Sequence, residues 1–159
     1  MNNLKLDFYP MTNVSPLSFG FSESARIGRI VLAVIGNSID RILVDVKWDF
    51  GELVSWFAEN RTSIKMESLP DFVSWDCSIA KSIDKIYESP DNYSDEQLDM
   101  LFEYRRRHEI CFGMRGVKIP SLYVGVGSLG EEVSGEVDRV RFRYPVNLDS
   151  FFRELEALS

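Results

Sequence analysis

One histidine and two cysteines limit the chemistry this chain can carry. His108 and Cys111 are three positions apart, a spacing that puts both on one face of a helix. A thiol beside an imidazole can be activated as a nucleophile. The sequence offers no third group to orient the pair, so the plainer expectation is a helix-end histidine and a buried cysteine. So few His and Cys residues exclude a four-ligand zinc site and a multi-disulfide scaffold. No D-x-D-x-D-G loop is present, and no cofactor or metal is expected.

Gly125-Val126-Gly127-Ser128-Leu129-Gly130 has the form G-x-G-x-x-G. A dinucleotide site needs that pattern to open a helix, whose amide groups and dipole meet the pyrophosphate. The residues that follow are not helical, and Glu131 and Glu132 stand where phosphates would sit. A glycine-rich hairpin turn is expected instead.

Two basic groups interrupt an otherwise acidic chain. Arg105, Arg106 and Arg107 are consecutive, while Arg139, Arg141 and Arg143 alternate along an expected strand. They could hold an anion, but pairing with nearby acids is the favoured expectation. The acids form two groups of their own. Asp91, Asp95, Glu96 and Asp99 make the first, and Glu131, Glu132, Glu136 and Asp138 the second. Either is a candidate surface for a basic protein partner, because complementary charge speeds association.

The elements that must position these residues can be read from periodicity. The chain has 159 residues, a formal net charge of −7, 45% hydrophobic and 27% charged residues. That fits a single globular domain over 1–159, able to bury roughly 70% of its unfolded surface. Its acidity opposes general nucleic-acid binding. No basic-then-apolar leader is seen in residues 1–20, and the longest apolar run, Ile30 to Ile35, is too short to span a bilayer. A cytoplasmic location with free thiols is expected, and the N-x-S/T triplets at Asn13, Asn60 and Asn92 are then chance matches.

The first third reads as an antiparallel sheet of about four strands. They are Leu4–Tyr9, Leu17–Ser22, Arg29–Ile35 and Ile39–Trp48, with Ile42, Val44, Val46 and Trp48 sharing one face. Asp49 caps a helix that carries Phe50, Leu53, Val54 and Phe57 and ends near Asn60. A second helix covers Ser78 to Glu88. A third starts at the capping box Ser94-Asp95-Glu96-Gln97, with Leu98, Leu101, Phe102 and Arg105 sharing a stripe. Strands return at Ser121–Val126 and Glu132–Tyr144, the latter bulged or broken near Gly135. A final helix buries Phe151, Phe152, Leu155 and Leu158. Strands and helices in blocks predict an α+β fold.

The layout resembles bacterial immunity proteins of the toxin–immunity type. Arg107-His108, Gly116, Pro120 and the ending Asn147-Leu148-Asp149-Ser150-Phe151-Phe152 carry the likeness. The resemblance implies a non-enzymatic protein that binds and neutralises a cognate toxin domain, such as a nuclease with a basic cleft. No site residue follows from it. Two other functions fit the sequence: a small enzyme or anion-binding protein using Arg105 to Arg107, His108 and Cys111, and a structural or regulatory subunit with an aromatic interface.

Overall fold

The computed structural model describes residues 1–12 and 15–159, so the triplet at Asn13 lies outside the described residues. β1 (Asn3–Pro10), β2 (Ile27–Ile35) and β3 (Asp40–Asp49) form one antiparallel sheet in that order. Ile30 to Val34 of the central strand is buried on both faces, as its unbroken apolar run requires. The sheet has three strands rather than four. The expected strand at Leu17–Ser22 is instead a 3-10 turn over Pro16–Phe19. Pro16 presets the turn, and Gly20 closes it in the left-handed region at φ 79°. These two residues outweigh a three-residue apolar alternation, and Leu17 stays exposed.

The register shifts between Leu32 and Ala33, whose partners are Val44 and Ile42. Leu43 is therefore the extra residue of a β-bulge. The bulge breaks the expected alternation: Leu43 and Val44 are both buried, and Ile42 is 51% exposed. The Asp49 carboxylate accepts the Gly51 N–H at 2.9 Å and starts α1 (Phe50–Met66). This helix runs past the expected end at Asn60. Asn60 bonds back to the Trp56 carbonyl at 2.8 Å, and Ile64 extends the buried stripe one more turn.

α2 (Ile79–Glu88) is capped by Ser78, and both halves of the Ser94–Gln97 capping box start α3 (Asp95–His108). The inward stripe of α3 is Leu101, Tyr104 and His108; Phe102 is exposed and stacks edge-on against Phe112. β4 (Leu122–Gly127), β5 (Gly130–Val137) and β6 (Val140–Pro145) form a second antiparallel sheet. The expected long strand breaks at Asp138-Arg139, not at Gly135. Asp138 and Arg139 both have positive φ, 52° and 64°, which makes a tight hairpin turn with Arg139 in the turn itself. Gly135 lies in paired strand, where a Cβ would run into the Ser121 carbonyl oxygen.

Asn147 caps α4 (Leu148–Leu158), which buries Phe151, Phe152 and Leu155 and leaves its last leucine, Leu158, exposed. One core cluster joins side chains from both sheets with α1 and α4, including Leu32, Phe57, Val133 and Phe152. A second sets α2 and α3 against Tyr123 of β4. The fold is α+β: two three-stranded antiparallel sheets and, among the described residues, four α-helices. No helix among them is long and apolar enough to cross a membrane.

Candidate functional site

The His108 ring is fully buried, and the surrounding chain sets its contacts. Nδ1 lies 3.0 Å from the Val124 carbonyl oxygen and Nε2 lies 2.9 Å from Glu67 Oε2. Both partners are acceptors, so the ring can donate from either nitrogen. Tyr104 stacks on it, with ring centres 3.9 Å apart. Neither nitrogen is left to meet Cys111. Burial, with the charge of Glu109 beside it, pushes the Cys111 thiol up to about 12. The spacing that suggested an activated thiol therefore yields no dyad.

The three consecutive arginines each find a different acid. Arg105 Nε donates to Glu109 Oε2 at 2.8 Å, Arg106 Nη1 to Glu103 at 3.1 Å, and Arg107 grips Glu67 with two bonds of 2.9 and 2.7 Å. Partial burial disfavours the charge of Arg105, but Tyr87 and Glu109 outweigh it and raise the group further. Burial likewise opposes ionisation of Glu67, yet its bonds to His108 and Arg107 hold the carboxyl at about 2. This network joins the ends of α1 and α3 and does not present a free cationic surface.

Three acids of the second group, Glu131, Glu132 and Glu136, are engaged within the fold. Glu132 is fully buried: Oε1 accepts from Arg143 Nε at 3.0 Å and Oε2 from the Ile79 N–H at 3.1 Å. It thus supplies negative charge at the N-terminus of α2, where the helix dipole favours it. Burial removes Glu132 from any docking surface. Glu131 accepts the Leu148 N–H at 2.8 Å, and Glu136 lies 3.7 Å from Arg141, which also pairs with Asp84. Asp138 stands exposed in the β5–β6 turn beside Arg139. Of the alternating arginines, Arg141 and Arg143 are thus paired.

The first group is different. Asp91, Asp95, Glu96 and Asp99 are all exposed. Among the described residues none of them has an ion pair or a side-chain hydrogen bond. They lie on and just before the N-terminal half of α3. Met100 (53% exposed) and Phe102 stand beside them. Between this helix and residues 67–70 runs a groove of about 380 Å³ that includes Asp99, Met100, Glu103 and Tyr104 in its lining. The sequence hinted at the acids. It gave no hint of Glu67 or Glu109, whose roles depend on distant chain segments; the i, i+4 spacing of Tyr104 and His108 is the local signal that could have marked the buried ring, and the expected stripe passed over it.

The Gly125–Gly130 segment closes the β4–β5 hairpin, with Gly127 paired to Gly130. No helix follows it, so the phosphate-binding context is absent there. No protein-family model, curated protein or solved structure matches this chain.

Proposed function

We propose that this chain is a non-enzymatic, cytosolic binding protein that docks a basic protein partner through the exposed face of α3. The relation is of the kind an immunity protein forms with a toxin domain. The observation that carries this reading is the contrast between the two acidic groups. Asp91, Asp95, Glu96 and Asp99 are exposed without ion-pair partners among the described residues, whereas Glu132 and Glu136 are paired with Arg143 and Arg141. Unpaired surface charge is free to steer a partner of opposite sign, and nearby Met100 and Phe102 offer apolar contact area.

The test is co-purification with the product of an adjacent toxin-type gene. A stable stoichiometric complex is expected, with an association rate that falls as salt rises. Asp95→Lys together with Asp99→Lys should weaken it about tenfold or more, as like charges then meet across the interface. Absence of a complex, or one indifferent to these reversals, sinks the reading.

A further inference from the structure

Arg26 differs from the arginines described above. Arg105, Arg106, Arg107, Arg141 and Arg143 each pair with an acid, whereas Arg26 has no ion pair among the described residues. Its guanidinium makes two long bonds, of 3.3 and 3.4 Å, to a single acceptor, the Leu158 carbonyl oxygen. A guanidinium carries five N–H donors, so most of its capacity is unused. The nearby Asp49 carboxylate is turned to the backbone, where it accepts the N–H groups of Arg26 and Gly51. The Arg26 head instead lies over a pair of stacked rings. Its Cζ is 5.5 Å from the centre of Phe8 and 5.0 Å from that of Phe50, and the two ring centres are 4.4 Å apart.

This head borders a cavity of about 570 Å³, a size typical of small-molecule sites. Arg26 is the one charged residue among the described residues of its lining. The rest of the lining is apolar and includes Phe8, Pro10, Met11, Pro16, Phe50 and Leu158. The backbone around it has few free donors. Pro10 and Pro16 have no N–H. The N–H groups of Met11, Ala25 and Phe50 bond to the Ile27, Ser22 and Arg26 carbonyls at 3.1, 3.1 and 2.8 Å. The guanidinium is the donor left over for a ligand, and its charge selects an anion.

We propose that this cavity binds a small amphiphilic carboxylate, an unbranched aliphatic acid, with its carboxylate on the Arg26 guanidinium and its chain along Phe8, Met11 and Pro16. Apolar walls with one placed polar group are the make-up of such a site. A carboxylate matches the planar fork of a guanidinium and is the partner that Arg26 lacks. The chain adds affinity by leaving water for the apolar wall. No lining residue belongs to α3, so this site stands or falls independently of the docking role argued above.

Methionine-methyl NMR of the full chain at neutral pH tests this, with octanoate below its micelle-forming concentration as the probe. Octanoate should shift the Met11 signal saturably and leave exposed Met66 and Met100 and buried Met114 unmoved. Hexanoate should bind more weakly, by up to about fourfold per methylene removed. Octanol has a similar chain without the charge and should bind about tenfold more weakly than octanoate. Octylammonium, of opposite charge, should not bind. Arg26→Gln should weaken octanoate about tenfold and leave octanol unchanged, a split that a merely structural arginine would not produce. Leu158→Glu is the second variant. It alters an exposed position at the end of α4 and sets a rival carboxylate near Arg26, so octanoate binding should fall while the unfolding temperature holds. An unmoved Met11 signal, equal binding of octanol, or unchanged octanoate affinity in Arg26→Gln overturns the proposal. Matching shifts at Met66 and Met100 would mean adsorption to exposed apolar surface and overturn it too.

Discussion

Glu67 Oε2 lies 2.9 Å from His108 Nε2, although 41 positions separate the two residues. The same carboxylate takes two hydrogen bonds from Arg107. One side chain just beyond the end of α1 thus fastens the last turn of α3, and the other nitrogen of His108 reaches on to β4. The acidic face of α3 is held in place by this joint at the opposite end of the helix.

Acid should loosen that joint. Glu67 lies at about 2 in the folded chain against the usual 4.5. As pH falls, the unfolded chain takes up this proton first. The stability contributed by Glu67 is therefore whole above about pH 4.5 and lost as pH approaches about 2. Chemical denaturation at steps between pH 6 and about 2.5 should show the native chain losing stability faster than Glu67→Gln, with the two curves converging at the acid end. At neutral pH the variant should be less stable by about 2 kcal/mol, the scale of hydrogen bonds to a charged group. Parallel curves would show that the carboxylate does not carry this role.

Glu132 should behave as a structural residue. Glu132→Ala leaves the partly buried Arg143 guanidinium without its acid and the first N–H of α2 without its acceptor. A loss of about 3 kcal/mol or more is expected, since breaking a buried pair strands the remaining charge. Glu136→Ala, on the same face of β5 but half-exposed near the end of the strand, should change stability by about 0.5 kcal/mol or less. Urea denaturation of both variants checks the contrast, and equal losses would contradict the burial of Glu132.

These cases show which features local sequence reveals. The capping box at Ser94, the Asp49 cap and the apolar run Ile30 to Ile35 of β2 are short-range patterns, and each of them forms the element expected of it. The bulge at Leu43 was not legible, because the partner strand decides which residue is squeezed out of the ladder. Leu17–Ser22 misled because a proline and a glycine governed the turn. Glu131 and Glu132 read as neighbours on an acidic surface. The two separated only when the fold placed the starts of α2 and α4 beside them.

The two thiols should differ sharply in reactivity. Cys77 is exposed, while Cys111 is about half-buried, with its thiol pushed up to about 12 by that burial and by Glu109. Thiolate is the reacting species, so low thiolate content and restricted access both slow Cys111. Ellman's reagent on the native chain should titrate one thiol quickly and the other only on unfolding, and Cys77→Ser should abolish the fast phase. A fast phase that survives in Cys77→Ser would restore the possibility of an activated Cys111.

The β5–β6 turn offers a stabilising substitution. Asp138 and Arg139 both occupy the left-handed region, at φ 52° and 64°. Aspartate tolerates that conformation, but an arginine Cβ crowds the following carbonyl there. Glycine has no Cβ and enters the region freely, which is why tight hairpins favour it. Arg139→Gly should stabilise the protein by about 0.5–1 kcal/mol, the relief of strain being partly offset by the larger entropy of glycine in the unfolded chain. Arg139 has no ion pair among the described residues, so little contact energy is lost. Gly135→Ala, two strand positions before Val137, should act in the opposite sense because its Cβ meets the Ser121 carbonyl oxygen and Leu122. Thermal unfolding of the two variants beside the native chain reads both signs, and a destabilised Arg139→Gly would mean that the turn depends on its arginine.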